Sequence, residues 1–281
     1  MALLDYTRRA MLAAGTATAI ALSAISVTAQ TPDDVLVVGQ IAEPKALDPA
    51  AVTAVNDFRI LMNLYDGLVR YKDGTLEVEP ALATSWNISN DGTEYTFSLR
   101  QGVKFHDGSD FNADAVKFNF DRMLDEAHPY HNTGPFPLSF FFSAIVSVDV
   151  LDSMTVKFTL NAPYAPFLSN LAYPTGLIVS PDAVAKHGTD FGRNPSGTGA
   201  FKFGEWRSNE AVVVEANSSH WEGAPKLQAV VFRPITDANT RTAEMLAGGI
   251  DMMVEVPPVA LSKFQGDGYT CLLYTSDAAD E

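Results

Sequence analysis

Three β-hairpin signatures crowd one stretch of the chain, and any fold has to make room for them. Asp73-Gly74 separates "LVRY" from "LEVEP", two short runs with the composition of paired strands. Asn90-Asp91-Gly92 then offers residues that tolerate positive φ, and beyond it Tyr95, Phe97 and Leu99 alternate with Thr96, Ser98 and Arg100. That period of two predicts one buried face and one wet face. The third, "IVSVDVLDSMTVKFTL", is expected to turn at Leu151-Asp152-Ser153. Between the second and third lies a helix, "ADAVKFNFDRML". Asn112 is its natural N-cap, Asp114 complements the positive helix end, and Val116, Phe120, Met123 and Leu124 form the apolar stripe.

The flanks read differently. Val35 to Val38 is a β-branched run that delivers a loop punctuated by Glu43-Pro44 and Asp48-Pro49. Ile60, Leu61, Leu64 and Leu68 then recur at helical spacing before Asp66-Gly67 and Asp73-Gly74 break the pattern. Ser180-Pro181 caps and starts a helix that Gly188 ends. The later part runs strand, strand, strand, helix, strand: "FKFGEW", "AVVVEAN", "LQAVVFRPI", "DANTRTAEMLAGG" stopped at Gly248-Gly249, and "IDMMVEV". The expected fold class is α/β, a scaffold carrying a smaller, mainly β subdomain. No internal repeat is visible.

The N-terminus indicates where such a chain works. Arg8 and Arg9 precede an uncharged, Ala-rich run that closes on Val27-Thr28-Ala29, the order of a secretory signal peptide cleaved after Ala29. Rich in Ala, Thr and Ser, the run is weakly hydrophobic, so no stable membrane insertion is expected after cleavage. Thr7-Arg8-Arg9 also resembles a twin-arginine signal, which leaves the export route open. Cys271 is the lone cysteine, so an exported chain of this kind has no disulfide and no lipidated cysteine near the cleavage site. A free protein of a Gram-negative periplasm is the expectation. The net charge of -15 would repel a phosphate backbone, which excludes nucleic acid as a natural partner.

Catalytic constellations are absent. Asn194 stands where a nucleophile elbow around Ser196 needs Gly, and "NPSGTGAF" lacks the Lys-Ser/Thr pair of a phosphate loop. His128 and His131 in "HPYH" could chelate a metal at i, i+3, yet Pro129 opposes a helix there and no third ligand accompanies them, so both read as loop histidines. His106, beside Asp107-Gly108, reads as a turn residue, His187 suits a helix C-terminus, and His220 carries no specific signal. No catalytic residue, metal or cofactor is expected. Two aromatic clusters, Phe136 with Phe140, Phe141 and Phe142, and Tyr164 with Phe167 and Tyr173, are consistent with core or with the wall of a cleft.

The stretch "NLYDGLVRYKDGTLEVEPALATSWNISNDGTEYTFSLRQGVKFHDGSDFNADAVKFNFDRM" strongly resembles the extracellular solute-binding proteins of peptide-type ABC importers, the dipeptide, oligopeptide and nickel binding family. "NPSGTGAFKFGEW" and "WEGAPKLQAVVFRPITDANTRTAEMLAGGIDMMVEV" are similarly family-like, so the resemblance runs from about Leu36 to Val256. It implies a periplasmic-binding-protein-like lobe one formed by residues 30–66 and 191–270, with residues 67–190 as an inserted β-rich subdomain. A hinge to a second lobe, largely missing here, would close on the ligand. It implies a small-molecule or peptide ligand, ABC transporter permease subunits as partners, and no enzymatic activity. "AEPKALDP" aligns with the segment whose backbone faces the ligand, so Ala46 and Leu47 are the expected contacts, with Phe141 a further one. Nickel chelates, glutathione, opines or sugars are alternative ligands within the fold, and a ligand-presenting sensory receptor is an alternative role; a periplasmic hydrolase is disfavoured because no nucleophile has its base. The family pattern stops near Tyr269, and "CLLYTSDAADE" back-translates to a sequencing-library transposon-end adapter, so residues 271–281 are expected to be read-through of an artefact.

Overall fold

The computed structural model describes residues 32–266 and 268–272; the expected signal peptide and all of the expected artefact beyond Cys271 and Leu272 lie outside them. Among the described residues, no helix is long and apolar enough to cross a membrane.

Strand β1 (Val35–Gln40) leads through a long loop into helix α1 (Val55–Leu64). The three expected hairpins follow: β2 (Val69–Tyr71) with β3 (Val78–Pro80), β4 (Ala83–Ile88) with β5 (Glu94–Leu99), and β6 (Ile145–Asp152) with β7 (Thr155–Leu160). Gly74 and Gly92 take positive φ in the first two turns, the role their Asp-Gly pairs predict. Helix α2 (Ala113–Leu124) intervenes, and the Asn112 side chain accepts from the Ala115 N–H at 2.9 Å, the expected cap. Then come α3 (Phe167–Ala172), α4 (Pro181–His187), β8 (Phe201–Arg207), β9 (Ala211–Ala216), β10 (Ala229–Pro234), α5 (Ala238–Leu246) and β11 (Met252–Met253).

These strands make three sheets. β2 and β3 stand alone, and β4-β5-β7-β6 is an antiparallel sheet. Tyr95, Phe97 and Leu99 are buried on its inner face, and α2 packs against β6 and β7. The core beneath is aromatic: Phe158 meets Phe97 and Phe120 edge-on, with ring centroids 5.6 and 4.9 Å apart. The third sheet has the order β11-β1-β10-β9-β8. β1 sits inside it with parallel partners on both sides, Val35 opposite Ala229 and Gly39 opposite Met253, while β8 and β9 add antiparallel strands. Val38, Val214, Val230 and Phe232 from this sheet bury against Ile60, Leu61 and Leu64 of α1 in a second core. The α/β class is thus as expected.

Three local expectations need correction. Helix α1 stops at Leu64, ahead of the Asp66-Gly67 break, so Leu68 does not belong to its apolar stripe: Tyr65 turns extended and the Gly197-Thr198-Gly199 strip packs flush against the helix end. A Cβ on Gly197 would lie 2.2 Å from the Leu64 carbonyl oxygen, so only glycine allows this approach. The third hairpin turns at Ser153-Met154, where the Asp152 carboxylate accepts from the Met154 N–H at 2.8 Å. The last strand is only the pair Met252–Met253, although the Val254 N–H still donates to the Gly39 carbonyl.

Candidate functional site

Because β1, β10 and β11 run parallel, their carboxyl ends share one edge of the sheet, and three connections leave from it. Open α/β sheets bind ligands in the crevice outside that edge. The longest connection is the loop over residues 41–54, between β1 and α1. Its neighbours are tied to the strand ends: the Ile235 N–H donates to the Gln40 carbonyl at 2.8 Å, and Arg59 of α1 pairs with Glu255 at 3.2 Å.

The loop is held at four points by groups distant in sequence. The Glu43 carboxylate accepts from the Trp206 indole N–H at 2.6 Å, and the Arg193 guanidinium lies 3.3 Å from the centroid of that indole. The Lys45 N–H donates to the Asp57 carboxylate at 3.1 Å. Leu47 donates its N–H to the Gly192 carbonyl at 2.8 Å, and its own carbonyl accepts from the Tyr65 hydroxyl at 2.7 Å. Asp48 is fully buried and receives both Arg122 amino groups, at 2.9 and 3.0 Å. Burial pushes the Asp57 carboxyl above its ordinary value against the opposing Lys45 and Ala54 amides, and its second oxygen is buried without a protein partner.

Ala46 is half-buried, seated on Gly192. Leu47 is fully buried with both backbone groups engaged, so its side chain belongs to the core beneath the loop. Phe141 is half-buried within a run of edge-on aromatic contacts: Phe58 to Tyr173 at 5.5 Å, Tyr173 to Phe141 at 5.4 Å, and Phe141 to Phe140 at 4.7 Å. Phe58 lies in the first turn of α1, next to Asp57, so this run starts where the loop is anchored and ends at Phe140, which is 60% exposed. The two readings of the aromatic clusters therefore divide by residue. Phe136, Phe142 and Phe167 are core, whereas Phe140, Phe141 and Tyr173 keep surface.

A second concavity, of about 560 Å³, lies between the 106–109 turn, α4 and the β8–β9 pair, and it brings Ser196, His106 and Asp107 near one another. None of them is free for catalysis. His106 accepts from the Gly197 N–H at Nδ1 and donates from Nε2 to the Gly199 carbonyl at 3.0 Å, leaving no lone pair for a hydroxyl. Burial lowers its pKa to about 4, so the ring is neutral. Ser196 Oγ accepts from the Asp107 N–H, and the Asp107 carboxylate is taken up by the Ser109 and Ser180 hydroxyls. The turn residue read from the sequence is therefore a pin joining the 106–109 turn to the Gly197–Gly199 strip. His220, without a signal in the sequence, lies 3.7 Å from Asp66. Burial alone would raise the Asp66 carboxyl, yet His220, the Trp221 indole at 2.9 Å and the Thr198 hydroxyl at 2.8 Å outweigh it and hold the group below its ordinary value. His131 Nδ1 lies 3.0 Å from the Arg122 carbonyl and His128 Nδ1 accepts from the Tyr130 N–H, so these histidines face separate partners. No group of three or more His, Cys, Asp or Glu is placed to hold a metal among the described residues.

Residues 77–277 match the profile of the bacterial extracellular solute-binding proteins, family 5. The glutathione-binding protein GsiB of Pectobacterium atrosepticum is 35% identical over 92% of this chain and 48% of its own length. Among solved structures, the periplasmic binding protein DppA of Helicobacter pylori, in complex with the peptide STSA, superposes with a TM-score of 0.77 at 36% identity, over 82% of this chain and 48% of its own. The dipeptide binding protein of Pseudoalteromonas sp. SM9913, in complex with Met-Leu, gives 0.79 at 30% identity, over 83% and 50%. The chain spans about half the length of the curated relatives it matches. With a family profile covering most of the chain and solved relatives that superpose on most of it, the chain belongs to the bacterial extracellular solute-binding proteins of family 5.

Proposed function

We propose that the protein is the periplasmic solute-binding component of an ABC importer, capturing di- and oligopeptides and delivering them to membrane permease subunits, with no reaction of its own. The observation that carries this reading is the loop over residues 41–54, fixed at Glu43, Lys45, Leu47 and Asp48 at the carboxyl ends of three parallel strands. A backbone held still before the ligand arrives loses little entropy on binding, and those of its peptide groups that are not already taken up within the protein suit a ligand whose own peptide groups need partners once water leaves. Ala46 and the Phe141 ring are the proposed contacts; Leu47, expected as a third, is fully buried with its N–H and carbonyl both taken up, so its place is beneath the loop. Residues 30–66 and 191–270 form the proposed lobe and residues 67–190 its insertion. In support, the aromatic core draws mainly on residues 68–178 and the other core mainly on residues flanking that span. Closure of a second lobe over this surface would exclude water and favour the ligand-bound state by its differential affinity.

Glutathione is a second reading, supported by the GsiB relative and by its being a peptide in chemistry. Calorimetric titration of the full-length protein with Met-Leu, the tetrapeptide STSA and reduced glutathione tests both. Saturable heat from a peptide supports the reading, and glutathione alone selects the second. Binding of a nickel chelate, opine or sugar with no response to all three peptides overturns it.

A further inference from the structure

The Asp48–Arg122 pair spans the two cores. Asp48 belongs to the loop at the strand ends; Arg122 comes from the last turn of α2, which packs on the antiparallel sheet. The side chains are 2% and 1% exposed, and the guanidinium meets both carboxylate oxygens in the bidentate fork. It also contacts the Thr133 hydroxyl at 3.3 Å and lies 5.3 Å from the ring centroid of Phe136, on one core, and 5.8 Å from that of Phe191, on the other. The Arg122 carbonyl accepts from His131, which fixes the helix end from which the side chain departs. On the loop side, Asp48 Oδ1 also accepts from the Ala50 N–H, and the preceding residue, Leu47, is tied to Gly192, next to Phe191.

A buried ion pair is a poor source of net stability, because desolvation of both charges offsets most of their attraction. It is a good source of geometry, since one planar fork fits one orientation of one carboxylate. We propose that Arg122 is the positioning residue of the solute-facing loop: from the far core it fixes Asp48, and through Asp48 the height and register at which Lys45, Ala46 and Leu47 stand above the strand ends. This rests on the reading that the loop faces solute, and it adds that the affinity of that surface is set from α2.

The test uses the full-length protein with Arg122→Lys, which keeps the charge and loses the fork, and Asp48→Asn, which keeps the shape and loses the charge. Should either variant fail to fold, the other carries the measurement. Val156→Ala, in the aromatic core away from the loop, serves as a control of comparable thermal destabilisation. Hydrogen exchange is followed at the amides of residues 45–48, 50 and 51, since Pro49 has none, and in β9 and β10, and affinity for Met-Leu and reduced glutathione by calorimetry. Arg122→Lys and Asp48→Asn are expected to speed exchange at 45–51 by tenfold or more, leaving β9 and β10 near wild type, and to weaken binding at least tenfold; Val156→Ala should do neither. Exchange at 45–51 that stays at the wild-type rate, or rises only in step with β9 and β10, overturns the positioning role. Locally faster exchange with unchanged affinity separates the two ideas: Arg122 then holds the loop, but the loop does not face the solute, and the proposal fails at that step. If wild type binds neither probe, the peptide reading fails, and the exchange data alone decide whether Arg122 positions the loop.

Discussion

His106 makes a pH-dependent contribution to stability that can be worked through. In the folded chain its ring is neutral, with a pKa near 4, while the unfolded chain titrates near 6.5. The unfolded state therefore takes up the proton first on acidification. The contribution is whole above about pH 6.5, declines as pH falls, and is fully lost below about 4. At pH 5 the unfolded histidine is almost fully protonated and the native one about a tenth so, which costs about 2 kcal/mol relative to pH 7.5. For a chain of this size that corresponds to a fall in Tm of roughly 4–8 °C. The perturbation is His106→Gln, which keeps a donor and an acceptor and removes the titration. Carboxylates held low, such as Asp66 and Asp107, titrate below this window and are common to both proteins. Thermal melts at pH 7.5 and 5.0 should show the wild type losing about 2 kcal/mol more than the variant. Parallel curves, or an NMR titration placing the His106 pKa at 6 or above, would refute the reasoning.

Other substitutions probe the same surfaces. Gly192→Ala would set a Cβ 2.9 Å from that of Ala46, and should lower stability by about 1–3 kcal/mol in urea denaturation; an unchanged midpoint means the loop yields there without cost. Leu47→Ala empties a fully buried site and should cost about 2–5 kcal/mol, so a loss under 1 kcal/mol would show the residue facing solvent or ligand instead. Phe141→Ala removes a half-buried ring from the exposed end of the aromatic run; calorimetry with Met-Leu should show affinity reduced about fivefold with a melting temperature near wild type, and equal affinity would remove Phe141 from the contact surface.

What the sequence discloses here depends on how far its signals reach along the chain. The Asp-Gly turns, the Asn112 and Ser180 caps and the alternation of Tyr95, Phe97 and Leu99 act within a few residues, and they foretell the hairpins and helices well. Leu68 misleads because helical spacing cannot see Gly197 and Gly199 pressed against the end of α1. His106 reads as a turn residue because both its partners lie over 90 residues later. The site is less legible still. "AEPKALDP" marks a loop, but nothing local connects Asp48 to Arg122 or Glu43 to Trp206, and those pairings give the loop its fixed shape. A lone arginine among the polar residues of α2 looks like any solvated charge until the burial of its guanidinium is seen.

The placement of β1 also bears on how the chain comes to be folded. It is the first strand among the described residues and an interior strand of its sheet, yet its partner residues in β10 begin 194 positions later, Val35 opposite Ala229. As synthesis proceeds from the N-terminus, the three hairpins can each close locally within moments of emerging, whereas "VLVVGQ" keeps its backbone unpaired until residues 229–234 are available. The nascent chain thus carries an apolar, sticky segment that stays without its sheet partner through 194 residues of elongation. Its sheet is completed late, which sets a long interval during which a holding chaperone, or a route that accepts unfolded substrates, has access to it.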